Sequence, residues 1–128
     1  MANILVLDDE LDAVVIIKRI LQRKGHEISV FTEEEEAIAF ARSQPVDLAI
    51  LDMKLKRMNG IEILEALKKA NPATRVMMLT GFPSPETAKK AAELGAVQYC
   101  VKPIEIDELE EKVRLILGNR SAAPCILI

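Results

Sequence analysis

Five short runs of aliphatic and β-branched residues recur along this chain, at 3–7, 27–31, 46–51, 75–79 and 97–101, and a longer stretch with helical spacing follows each. This strict alternation leaves few solutions. It points to an α/β fold, a parallel sheet whose crossovers are helices lying on both faces. The runs are almost unbroken in apolar character, as expected for strands covered on both sides. Each connection is long enough to hold the helix that a parallel crossover needs. At 128 residues the chain suits one domain with a sizeable core. That core must be aliphatic, because Phe31, Phe40, Phe82 and Tyr99 are the only aromatic residues.

The helical stretches carry their own start and stop signals. Ala13, Ile16, Ile17, Ile20 and Leu21 fall at i, i+3, i+4, i+7 and i+8, one face of an amphipathic helix that Gly25 ends. Val14 and Val15 widen this apolar surface beyond what one face needs, as a broad buried stripe or as an exposed portion that docks another protein. Thr32 with Glu35 reads as a capping box, and the glutamates at 33–36 complement the positive end of the second helix. Gly60 leads into a helix with Ile63, Leu64 and Leu67 inward. Ser84-Pro85 reads as an N-cap followed by proline at the first helical position. The helix it opens packs through Ala88, Ala91 and Ala92, lacks large anchors and ends near Gly95. The last helix turns Ile106, Leu109, Val113, Ile116 and Leu117 inward. The domain is expected to span 1–118, and 119–128, which has no strand or helix period, is read as a flexible C-terminal tail.

Composition narrows the function. The net charge is −3 and the basic residues form no dense run, which disfavours direct nucleic-acid binding. No stretch approaches the roughly 18 apolar residues of a membrane span, and no secretory signal pattern opens the chain. Cys100 and Cys125 lack paired or metal-ligand spacing, so a reduced, cytoplasmic protein is expected. His26, beside a turn, is read as a surface residue.

The chemistry-bearing residues stand where strands end. Asp8 and Asp9 follow the first strand, Asp52 the third, Thr80 the fourth and Lys102 the fifth. The carboxyl ends of parallel strands share one edge, so these residues converge. With strand order 2-1-3-4-5 they flank the switch point at which open α/β sheets bind ligands. Asp47 interrupts the start of the third strand and belongs to the far edge, about five residues of strand away at about 3.3 Å each. Three carboxylates in one crevice repel one another unless a cation lies among them, and hard oxygen donors suit Mg²⁺ or Mn²⁺. Lys102 offsets charge and can meet an anion, and Thr80 offers a hydroxyl. The set suits an oxyanion such as phosphate beside a metal, with a carboxylate as nucleophile. Taken singly, each residue has a commonplace reading, such as an N-cap aspartate or a turn threonine. Their conjunction carries the inference.

The segments Ile4-Leu5-Val6-Leu7-Asp8-Asp9-Glu10, Leu51-Asp52-Met53, Met78-Leu79-Thr80-Gly81 and Tyr99-Cys100-Val101-Lys102-Pro103 resemble the motifs of response-regulator receiver domains, in order and spacing, from Ala2 to Gly118. The resemblance implies a flavodoxin-like, doubly wound (βα)5 fold and a phosphorylation switch in two-component signalling. Asp52 would be the phospho-acceptor, served by a sensor histidine kinase or histidine phosphotransfer domain. Asp9, Asp52 and the backbone carbonyl of Lys54 would bind Mg²⁺ directly, and Asp8 largely through water. Lys102 would contact the phosphoryl oxygens, Thr80 would move toward them, and Tyr99 would turn inward behind it. Lys102-Pro103 would be a cis peptide. The output would be a downstream protein bound through the fourth helix, fifth strand and fifth helix, with a homodimer as a further possible product of phosphorylation.

Some features depart from that pattern. Receivers often carry proline four residues after the acceptor, where this chain has Lys56. Lys54 and Phe82 occupy positions that tune phosphoryl hydrolysis in relatives, and the bulk of Phe82 would shield an acyl phosphate from water. Cys125-Ile126-Leu127-Ile128 formally matches a prenylation box, although a docking peptide or a simple tail fits a receiver better. Other classes remain open at this point. An aspartyl phosphatase usually wants an acid two residues after its nucleophile, where Lys54 stands. A nucleotide or flavin binder wants a glycine-rich loop after the first strand, where Asp8-Asp9-Glu10 stands. A phosphorylation-independent pseudo-receiver or adaptor usually lacks one of the acidic or lysine site residues. Whether the chain stands alone or is part of a longer regulator is left open by the residues themselves.

Overall fold

The computed structural model describes residues 2–53 and 59–118. Five strands, β1 (Asn3–Leu7), β2 (Glu27–Phe31), β3 (Leu48–Asp52), β4 (Arg75–Thr80) and β5 (Ala96–Val101), alternate with α1 (Leu11–Gln22), α2 (Glu34–Ser43), α3 (Gly60–Ala70), α4 (Pro85–Glu93) and α5 (Ile106–Gly118). The strands form one parallel sheet in the order β2-β1-β3-β4-β5. This is the parallel α/β sheet expected from the alternation, in the flavodoxin-like, doubly wound (βα)5 form that the resemblance implies.

The period of two along each strand divides the core. Leu5, Leu7, Ala49, Leu51, Val76 and Met78 face the layer of α2, α3 and α4. Ile4, Val6, Leu48, Ile50, Met77 and Leu79 face α1 and α5. Both faces are therefore dry, which is why β1, β3 and β4 read as continuous apolar runs.

Local signals mostly hold, with instructive exceptions. Ser84 Oγ caps α4 by accepting the Thr87 N–H, and Gly25 and Gly95 take the positive φ of 87° and 100° that ends α1 and α4. The cap of α2 is Glu33 without a side-chain cap bond, in place of the expected Thr32–Glu35 box. The first buried glutamate, Glu34, lies instead at the positive end of α2. α3 opens with a true capping box: Asn59 Oδ1 accepts the Glu62 N–H at 2.9 Å, and Glu62 Oε1 accepts the Asn59 N–H. The sequence reading missed this Asn-x-x-Glu spacing. In α1 the buried stripe is Val14, Ile17, Ile20 and Leu21, while Ile16 is 56% exposed. The stripe is thus rotated by part of a turn from the expected face, because the helix is seated by Val14. Ile106, expected inward, is the first residue of α5 and is exposed, being a position ahead of the turn that reaches the sheet. β3 begins at Leu48, not Val46, and includes Asp52.

His26 is half-buried, a correction to its surface reading: its Nδ1 accepts the Ala2 N–H at 3.2 Å, tying the start of β1 to the turn before β2. Burial lowers its pKa from 6.5. The unfolded chain then binds the proton more readily, so this contribution is intact above pH 6.5 and is lost as the pH falls below it. The melting temperature between about pH 7 and about pH 5 should therefore fall less steeply in His26→Asn than in the parent. Equal slopes would show that His26 adds nothing.

Candidate functional site

The register of the sheet brings four strand ends to one edge. Leu7, Leu51, Leu79 and Cys100 lie in neighbouring rows, so the residues just beyond them meet. Asp8 is 3% exposed; its Oδ1 accepts the Glu10 N–H at 3.0 Å, and its Oδ2 accepts from Lys102 Nζ at 2.6 Å. Asp52, the last residue of β3, is 8% exposed, with Oδ2 at 3.5 Å from the same ammonium. Asp9 is half-buried beside them. The carboxylates of Asp8, Asp9 and Asp52 can each offer an oxygen within 4.8 Å of the others.

Lys102 therefore bridges two of three acids. Burial works against its charge, but the hydrogen bond to Asp8 and the charges of Asp8, Asp52 and Glu10 outweigh it and raise its pKa above 10.5. Its backbone N–H donates to the Thr80 carbonyl at 2.7 Å, which locks the end of β5 to the end of β4. The peptide bond that follows, Lys102-Pro103, is cis.

Thr80 is fully buried at the end of β4, and its Oγ1 accepts the Phe82 N–H at 3.0 Å. Phe82 itself is 66% exposed. Tyr99 is half-buried in β5, with its hydroxyl 2.7 Å from Thr87 Oγ1 of α4. Asp47 lies on the opposite edge of the sheet, where its Oδ2 accepts the Asn3 N–H at 2.8 Å. Lys54 and Lys56 fall outside the described residues, as does the stretch 119–128 with Cys125.

Gly60 is a site residue that the sequence reading treated only as a helix start. Its N–H donates to the Met53 carbonyl at 2.8 Å, and a Cβ on it would lie 2.6 Å from the Asp52 carbonyl oxygen. The start of α3 is thus pressed against the backbone of Asp52. Thr87, which holds the Tyr99 hydroxyl, was likewise missed, since a threonine in a first helical turn announces no long-range partner.

Among the described residues the arrangement is an α/β crevice at the switch point that holds three acids and the Lys102 ammonium, suited to a divalent cation and an oxyanion. Comparison with known proteins identifies the family. The family model described as "Response regulator receiver domain" matches residues 4–114. The transcriptional regulatory protein ZraR of Salmonella typhimurium is 32% identical over 91% of this chain, which spans 26% of that protein. The chain thus spans about a quarter of the length of the first curated relatives it matches. The crystal structure of a CheY-like response regulator receiver domain protein from Methanospirillum hungatei superposes with a TM-score of 0.91 at 31% identity, covering 94% of this chain and 96% of that one. A response regulator protein from Burkholderia pseudomallei, crystallised with a phosphorylated aspartic acid, calcium ion and citrate, gives a TM-score of 0.83 at 27% identity over 94% of this chain and 69% of that one. This chain belongs to the response regulator receiver domain family, the receivers of two-component systems. No helix among the described residues is long and apolar enough to cross a membrane.

Proposed function

We propose that this domain accepts a phosphoryl group on Asp52 from a phosphohistidine donor, with Mg²⁺ or Mn²⁺, and changes conformation to regulate a partner protein. The observation that carries this reading is the Lys102 ammonium lying between Asp8, at 2.6 Å, and Asp52, at 3.5 Å, in a crevice with three carboxylates. A phosphorylated aspartic acid and a calcium ion in the Burkholderia relative support it.

The donor set fits a hard divalent cation, because all three groups are carboxylates and converge closely enough to share one ion. Asp9 and Asp52 would hold it directly, with the Lys54 backbone carbonyl, and Asp8 largely through water. Bound there, it neutralises charge on the carboxylates and on the incoming phosphoryl oxygens. An Asp52 carboxylate oxygen attacks phosphorus as the P–N bond to the donor imidazole breaks, and the imidazole leaves with the bonding pair. Lys102 exchanges Asp8 for a phosphoryl oxygen. Thr80 moves to donate its hydroxyl to another, and Tyr99 turns inward behind it. Two charge-assisted hydrogen bonds gained only in this state contribute roughly 3–6 kcal/mol, against about 5.5 kcal/mol for a 1:99 to 99:1 shift. Phe82 then covers the acyl phosphate and slows its hydrolysis, with Lys54 as a second tuning position.

The chain promotes only its own phosphorylation and dephosphorylation, works in the cytoplasm, and signals through the α4, β5 and α5 face to a protein target, with neither nucleic acid nor membrane as direct partner. The test is intact mass after incubation with Mg²⁺ and acetyl phosphate. One added phosphoryl group that forms only when Mg²⁺ is supplied supports the reading; none overturns it.

Metal binding has its own readout. At a hundred times its dissociation constant Mg²⁺ stabilises the fold by about 2.7 kcal/mol. The melting temperature of the parent should rise with Mg²⁺, and that of Asp9→Asn should stay nearly flat. An equal rise in both would remove Asp9 from the ligand set.

A further inference from the structure

Tyr99 is bound into the first turn of α4 by a closed set of hydrogen bonds. Its hydroxyl lies 2.7 Å from Thr87 Oγ1, and the Ser84 backbone N–H donates to the same tyrosine oxygen at 3.4 Å. Thr87 Oγ1 is also 2.8 Å from Ser84 Oγ, and its hydroxyl reaches the Ser84 carbonyl at 3.2 Å. With the threonine proton directed to Ser84, a lone pair on Thr87 Oγ1 is left to accept the Tyr99 proton. The tyrosine oxygen then donates and accepts at once, and such rings strengthen their members.

A second observation joins this ring to the acidic crevice. Thr80 Oγ1 accepts the Phe82 N–H, and Ser84 is two residues farther along the same loop. Displacement of Thr80 therefore pulls on the segment that presents Ser84 and Thr87 to Tyr99. α4 offers little resistance, since Ala88 and Ala91 are its buried residues and no large side chain anchors it.

We propose that Thr87 is a positioning residue of the switch: its hydroxyl latches the Tyr99 ring to α4 in the unphosphorylated domain, and the latch opens when Thr80 moves toward the phosphoryl group. The opening step rests on the assignment of Asp52 as acceptor; the resting latch does not.

The chain has one tyrosine and no tryptophan, so its intrinsic fluorescence reports Tyr99 alone. Thr87→Val removes the hydroxyl while keeping the branched shape and the backbone N–H that Ser84 Oγ caps. The emission of unphosphorylated Thr87→Val should move part of the way toward that of the phosphorylated parent, whereas Thr87→Ser should emit like the resting parent. Loss of one hydrogen bond of ordinary net strength moves the equilibrium by about fivefold. Uptake from acetyl phosphate, which follows the fraction already competent, should quicken by about the same factor in Thr87→Val and in Tyr99→Phe, with no further gain in the double variant. Additive effects, or unchanged emission in a Thr87→Val protein of unaltered circular dichroism, would overturn the latch. So would emission that ignores phosphorylation verified by mass. If mass shows no phosphoryl uptake in the parent, the Asp52 assignment falls, and the unphosphorylated fluorescence comparison still decides the resting latch.

Discussion

Asp52→Asn is expected to take up no phosphoryl group from acetyl phosphate under conditions in which the parent takes up one, a loss complete within the detection of intact mass spectrometry. The carboxamide has nearly the same shape, so it fits at the end of β3, but its oxygen is too weak a nucleophile to form the acyl phosphate. The substitution also removes one of three converging negative charges. Lys102 keeps its shorter bond, to Asp8, and the repulsion among the acids falls. Without Mg²⁺ the variant should therefore resist denaturant at least as well as the parent, which separates lost chemistry from lost folding. Asp47→Asn, on the opposite edge, should retain full uptake. Uptake that survives in Asp52→Asn would place the acceptor elsewhere.

Gly60→Ala is expected to damage both the fold and the site. The added Cβ would lie 2.6 Å from the Asp52 carbonyl oxygen and 2.8 Å from Met53 Cα, both backbone atoms that a rotamer change cannot move. Met78 Cε, at 2.9 Å, is the only flexible neighbour of the three. The start of α3 must then retreat from β3, weakening the Gly60 N–H bond to the Met53 carbonyl. Overpacking of this kind costs about 1–3 kcal/mol, readable as a lower denaturant midpoint. Because the displaced backbone includes Asp52, uptake of the phosphoryl group should slow in the fraction that remains folded. Gly118→Ala is the control: a Cβ there meets nothing within 4 Å. Equal midpoints for the two variants would show that the contact with Asp52 is relaxed in solution.

The alternation of apolar runs and helical stretches was enough to determine that the sheet is parallel, that its crossovers are helices and on which edge the site lies, whereas the strand order followed from the family resemblance. A parallel order sends every strand's carboxyl end to one side, so position along the strands alone groups Asp8, Asp9, Asp52, Thr80 and Lys102 and sets Asp47 apart. Start and stop signals worked where they were local, as at Ser84-Pro85 and Gly95. They failed where packing competed. Ile16 and Val14 both suit an inward position by spacing, and only the seating of α1 on the sheet selects Val14. Ile106 fits the inward period but lies at an end that the sheet does not reach.

What the tertiary structure alone decided concerns contacts between residues far apart in the chain. That Lys102 favours Asp8 over Asp52, that Thr87 holds Tyr99, and that Gly60 presses on the backbone of Asp52 have no signature in spacing. Periodicity reports which side of an element is dry, because burial is a property of one residue and its local geometry. Pairing of a particular donor with a particular acceptor depends on how the elements are set against one another to within about half an ångström, and that is fixed only when the whole core has packed.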